Sequence, residues 1–210
     1  MTTRRKTLLT LALLGPLAVA LTAGASPAGA QEPVAPVTAA DRSIGRADAP
    51  VTVIEYASFA CGACGAWHVG VYPAFKQRLI DTGQVRFVFR NLPTPPQEIS
   101  LPGAALARCA VPARFFDVTS ALMRGQAAVL AGGTREDWYA PAVAVSGRTL
   151  AQLQACAATP ATQAAITRDI ESARAAGVRG TPSFFVNGRR VTDNSLAGLE
   201  SAVRAAAADQ

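Results

Sequence analysis

The sequence has one histidine (His68), two lysines and four cysteines in 210 residues. One imidazole, with no second C-x₂-C pair, falls short of the four nitrogen and sulfur ligands of a structural zinc site. The single C-x-x-C is not followed directly by histidine, which excludes covalent haem attachment. No repeat of solenoid length is present. The main apolar run, residues 8–21, is broken by Gly15-Pro16 and is too short for a convincing membrane span. Of the formal charge of +6, three units sit on Arg4, Arg5 and Lys6. The remaining excess is mild and spread along the chain, so it gives no argument for a nucleic-acid partner.

Half of the residues are hydrophobic, enough for a full core, and the length suits one domain or a domain with an insertion. Residues 1–30 read as a secretory signal peptide: a basic start, an apolar stretch, then small residues ending Ala28-Gly29-Ala30. Thr3-Arg4-Arg5 raises a twin-arginine signal, but Lys6 and Thr7 fit it poorly, which favours ordinary secretion. Cleavage is expected near Ala30, with an exported, periplasmic destination. Residues 31–43, with two prolines and no periodicity, read as a flexible leader. Cys61, Cys64, Cys109 and Cys156 all follow it, and an exported chain meets an oxidising compartment.

The β-branched stretch "VTVIEYA", residues 51–57, predicts a strand buried on both faces. A helix is predicted from Gly65 to about Asp81, kinked by Pro73, and a second strand over residues 85–89. A helix between two strands favours a parallel pair. Prolines 93, 95 and 96 stop this pattern, and from about 97 to 160 only helical signals appear, at 101–110, 113–124, 138–145 and 150–157. Thr159-Pro160 starts a helix that Gly177 stops. Asn187-Gly188 joins strands 183–186 and 189–191 in a hairpin, and Asn194 or Ser195 caps a last helix. The expected class is α/β: a mixed central sheet in residues 44–210 with an inserted helical subdomain.

Cys61 and Cys64 are three apart at a helix start, within the usual Cα range of about 4.4–6.8 Å for a disulfide. So small a ring is a poor staple and a good reversible bond. Cys61 at the helix N-terminus has its thiolate favoured by free N–H groups and the dipole, and Cys64 lies deeper. Cys61 is therefore the attacking sulfur and Cys64 the resolving one. Glu55, the charged residue inside the strand, is a candidate proton acceptor for Cys64; the bland alternative is a strand-end glutamate reaching solvent. His68 shares a helical face with Cys64 and reads as a packed or half-exposed helix residue. If Cys61 pairs with Cys64, elimination leaves Cys109 with Cys156, against the alternative of two separate buried thiols. No metal or cofactor is expected.

"VIEYASFACGACGAWH" and "VRGTPSFFVNG", with the helical block between them, resemble the thioredoxin-fold disulfide oxidoreductases of the DsbA type over about residues 44–208. The resemblance implies that Pro182 is cis and faces the cysteine pair, and that Thr181 offers backbone hydrogen bonds to an extended substrate. It further implies a thiol-oxidase cycle on reduced secreted proteins, with reoxidation by a membrane quinone-linked partner. Glu55 matches the family's buried acid, and Cys109 and Cys156 are similar to extra cysteines of some members. Gly62-Ala63 departs from the Pro-His of strongly oxidising members, which predicts a Cys61 pKa depressed less than theirs. An isomerase or reductase, or a thioredoxin-like peptide or metal binder, are the competing readings. No dimerisation module is legible, so a monomer is expected.

Overall fold

Seven residues, Val51–Ala57, form the strand around which the rest is laid (β2). The computed structural model describes residues 1–2 and 34–209; apart from its first two residues, the expected signal peptide lies outside the described residues. Val51, Val53 and Ala57 of β2 pack into one cluster with Trp67, Phe87 and Phe89. Ile54 and Tyr56, pointing the other way, pack with Val88, Ala173 and Phe185. This is the alternation of a strand covered on both faces, so neither side is polar.

Val85–Asn91 (β3) runs parallel to β2, with Glu55 opposite Phe89. Ser183–Val186 (β4) lies antiparallel on the other side of β2, and Arg189–Val191 (β5) returns beside it through Asn187-Gly188. Asn187 takes φ 45° and Gly188 φ 80°, the left-handed pair that a two-residue hairpin turn requires. Arg42–Ile44 (β1) closes the far edge against β3, giving the order β1-β3-β2-β4-β5. β1 does not figure in the sequence reading: three residues carry no period, and only pairing with β3 makes them a strand.

The helix expected from Gly65 to Asp81 is three pieces: Gly62–Gly70 (α1), Tyr72–Phe75 (α2) and a π turn at Lys76–Ile80. Pro73 has no N–H to return to Val69, so α1 ends at Gly70 with Val71 as its C-cap, and the chain restarts with proline in the first turn of α2. Between β3 and the seventh helix lie Gln97–Arg108 (α3), Phe115–Leu130 (α4), Arg135–Val145 (α5) and Leu150–Ala157 (α6). Thr134 and Thr149 cap α5 and α6 with their hydroxyls. Pro160–Ala175 (α7) covers one face of the sheet, and Leu196–Ala208 (α8), capped by Ser195, completes the other side. The fold is thioredoxin-like α/β with a helical subdomain inserted after β3.

The described part of the expected leader is held against the domain. Arg90 on β3 is buried and donates to Asp41 through Nε (2.8 Å) and to the carbonyls of Ala35 (2.9 Å) and Pro36 (3.0 Å). Val34 and Val37 pack on the Tyr56 cluster. Burial alone would raise the Asp41 carboxyl; Arg90 and the Thr38 N–H bring it below its ordinary value. A guanidinium that must be satisfied inside the core therefore recruits a segment whose composition reads as linker. Its folded carboxyl being depressed, Asp41 contributes stability above the unfolded value of about 3.9, lost as pH falls through the lower folded value. Asp41→Asn leaves Arg90 buried without its counter-charge, and denaturant unfolding at neutral pH is expected to show a loss of about 3 kcal/mol.

Candidate active site

β2 ends at Ala57 and the chain turns through Ser58, Phe59 and Ala60 before α1. This turn is tied down from several directions. The Ser58 hydroxyl accepts from the N–H groups of Ala60 (3.1 Å) and Thr94 (3.0 Å). Gln126, buried on α4, donates to the Phe59 carbonyl at 2.8 Å. Gly65 faces the same amide, and a Cβ there would collide with Gln126 Oε1. The helical subdomain is thereby locked to the turn that aims α1.

Cys61 is the N-cap of α1, in extended backbone (φ −91°, ψ 109°), and its Sγ accepts from the Cys64 N–H at 3.4 Å. Sγ also lies 3.1 Å from the Thr181 carbonyl oxygen. Cys61 is half-buried and Cys64 is fully buried; both are free thiols. The Cys61 thiol is lowered to about 5 from 9.0, first by the hydrogen bond from the Cys64 thiol, with the Thr181 side chain and the Cys64 and Ala63 N–H groups adding, against burial. The Cys64 thiol is pushed far up, chiefly by burial, then by its bond to Cys61 and by the nearby charge of Glu55. One helical turn thus separates a thiol that ionises readily from one that does not.

Across from Cys61, the Thr181–Pro182 peptide bond is cis. Ser183 Oγ donates to the Gly180 carbonyl at 2.7 Å and accepts from Arg190 at 3.1 Å, which fixes this loop to the β4–β5 hairpin. Glu55 is fully buried rather than reaching solvent. Its Oε2 lies 2.9 Å from Nε2 of His68, and its Oε1 has no hydrogen-bond partner in the protein. His68 is itself 4% exposed, so it is neither half-exposed nor merely packed. Its spacing from Cys64 is visible in the sequence; its contact with Glu55 needs the strand and helix brought together. Gln126 has no sequence signal at all.

Cys109 and Cys156 lie away from this site and are joined to each other, with Sγ atoms 2.05 Å apart and Cα atoms 5.8 Å apart. They link the end of α3 to α6 inside the helical subdomain. Among the described residues no group of three or more His, Cys, Asp or Glu side chains is placed to hold a metal ion. Nor is any described helix long and apolar enough to cross a membrane.

The cysteine pair, the buried acid and the cis-proline loop on this fold can be set beside known proteins. A Bacillus cereus protein named as a "probable disulfide bond formation protein D" is 42% identical over 64 residues, 30% of this chain and 30% of that protein. The match thus spans less than a third of that relative's length. The crystal structure of oxidised BdbD from Bacillus subtilis superposes with a TM-score of 0.72 at 17% identity, covering 85% of this chain and 98% of that one. Wolbachia pipientis alpha-DsbA1 superposes with a TM-score of 0.68 at 22% identity, covering 83% and 94%. At these identities the structures share the fold. A family model described as thioredoxin matches residues 38–205, and the chain belongs to the thioredoxin family.

Proposed function

We propose that the protein is an exported thiol:disulfide oxidoreductase that places disulfides in reduced secreted proteins. The observation that carries this is the asymmetry of the pair: Cys61 half-exposed with a thiol lowered to about 5, Cys64 buried with its thiol pushed up. The names of the relatives, disulfide bond formation protein D among them, support the same chemistry. The basic-then-apolar residues 4–21 and the small residues 28–30 support export.

In the oxidised form a substrate thiolate attacks Cys61 Sγ. The Cys61–Cys64 bond breaks, and its electron pair leaves on Cys64, the poorly exposed sulfur, which takes a proton. A second substrate thiolate then attacks the substrate sulfur of the mixed disulfide and releases Cys61 as a thiolate. The substrate has lost two electrons and gained one disulfide. The low Cys61 value makes it a good leaving group in this last step, which favours the oxidising direction. Glu55, buried and with its charge felt at the Cys64 thiol, is the group that takes and returns the Cys64 proton. Thr181 and cis-Pro182, against Cys61, present the backbone on which an extended substrate segment aligns its own cysteine. Reoxidation falls to a membrane quinone-linked partner, the enzyme acts as a monomer, and no cofactor takes part.

Two outcomes follow from this. Alkylation of the reduced wild-type protein, in which Cys61 alone is reachable, is expected to rise with a midpoint near pH 5, the value to which Cys61 is lowered. In Cys64→Ala the largest cause of that lowering is gone, so the midpoint moves up towards 9.0. A wild-type midpoint above about 8, the range of an ordinary thiol, contradicts the assignment. Second, the disulfide form is expected to oxidise a reduced, unfolded test protein with release of its own two thiols, and Cys61→Ser to fall to the uncatalysed background. Failure of the wild-type protein to exchange at all sinks the proposed function.

A further inference from the structure

His68 has no task in the exchange set out above, yet it is the one histidine of the chain and is buried, at 4% exposure. Its ring lies among Trp67, Tyr72 and Phe89, with ring centroids 5.1, 5.1 and 5.8 Å away. Burying an imidazole there costs desolvation that a leucine of similar volume avoids. Packing alone therefore does not account for it.

The polar atoms of this cluster are unevenly satisfied. His68 Nε2 and Glu55 Oε2 are 2.9 Å apart, with side chains 1% and 0% exposed. His68 Nδ1 and Glu55 Oε1 have no partner in the protein. With Glu55 taken as the carboxylate, its oxygens only accept, which assigns the hydrogen to Nε2, pointing at Glu55. Nδ1 is then a bare acceptor, the less costly of the two ring nitrogens to leave unpaired. The carboxylate is held at one oxygen and open at the other. Its charge bears on the Cys64 thiol, and His68 stands four residues after Cys64 on the same helix. The turn of α1 that carries the resolving thiol thus also carries the clamp on the neighbouring acid. Cys61 on α1 bears on the Cys64 thiol as well, and Tyr72 on α2, on which the Glu55 charge acts, has its own hydroxyl buried without a partner.

Resting on the thiol-exchange reading, we propose that His68 is a positioning residue whose Nε2–H fixes Glu55 so that Oε1 receives the proton of Cys64. The step balances as follows: the Cys64 S–H proton passes to Oε1 by way of one water molecule, since the two atoms are not in direct hydrogen-bond contact, and the sulfur's electron pair forms the bond to Cys61 Sγ. The mixed disulfide breaks, and its electron pair leaves on the departing thiolate. His68 touches neither sulfur in this step; it acts through Glu55.

A chromogenic aryl disulfide separates the two sulfurs. Mixed with the reduced protein, it releases one aryl thiolate as Cys61 attacks, at a rate that scales with reagent concentration. A second is released, independently of concentration, as Cys64 closes the Cys61–Cys64 bond. Glu55→Gln is expected to slow the second phase about 100-fold, the low end of what a positioned proton acceptor contributes. His68→Leu, which keeps volume and removes the donor, slows it about tenfold, and His68→Gln, whose amide N–H can reach the same oxygen, restores it to within about threefold. The first phase stays within about twofold in both His68 variants, since Cys61 is held by the helix start. Thermal melts establish that each variant is folded. A second phase in His68→Leu within about twofold of wild type overturns the proposal, as does a His68→Gln no faster than His68→Leu. Loss of both phases together marks a general structural role and also overturns it. Failure of the wild-type protein to release a second equivalent would instead sink the exchange reading on which it rests.

Discussion

The site depends on a thiolate held at the first turn of a helix whose inward face, Cys64, Trp67 and His68, is buried. Cys61 caps α1 and receives the Cys64 N–H, while the Cys64 thiol behind it is the largest cause of its lowered pKa. The same three-residue spacing that lets the sulfurs bond lets one thiol stabilise the charge on the other. Burial opposes ionisation of both, but at half-buried Cys61 the hydrogen bonds outweigh it, while at Cys64 it is the largest cause and is reinforced. In the proposed exchange the direction of attack is thus set by depth below the surface along one helical turn.

That geometry holds only if α1 is aimed from outside. β2 delivers the chain, and its two covered faces fix its register between β3 and β4. The inserted helices then contribute more than bulk. Gln126 of α4 reaches the turn at Phe59, and Gly65 leaves room for it. Trp138 on α5 donates to the Leu122 carbonyl at 2.7 Å, tying α5 to the helix that carries Gln126. The Cys109–Cys156 bond closes the loop from α3 to α6. In a loop of this length such a cross-link is worth about 4 kcal/mol in the chain-entropy account. The subdomain is stiffened by its own bridge and so acts as a fixed wall behind the reactive turn.

Much of this is legible in the sequence where the signal is local. β2, β3 and the β4–β5 hairpin announce themselves through β-branched runs and Asn187-Gly188, and Thr159-Pro160 marks the start of α7. The roles assigned to Cys61 and Cys64 follow from spacing at a helix start. What is not legible arises from pairing between distant segments. β1 exists through β3, and the Val34–Asp41 segment is ordered by Arg90. The Glu55–His68 contact joins a strand to a helix thirteen positions on. His68 alone in a sequence is an ordinary helix residue; beside a buried carboxylate it is half of a polar pair in a dry core. Gly62-Ala63 puts no side-chain donor near Cys61, so its lowered value is owed to the helix start, Cys64 and Thr181.

On the proposed function, this arrangement makes an oxidant of intermediate strength. Equilibrating the Cys61–Cys64 pair with glutathione buffers tests it most directly. A Cys61 thiol lowered to about 5 lies between those of thioredoxin, about 7, and DsbA, about 3.5. The account predicts a reduction potential near that of protein disulfide isomerase, about −180 mV. A value at or below the thioredoxin potential of about −270 mV would contradict it and make the protein a reductase.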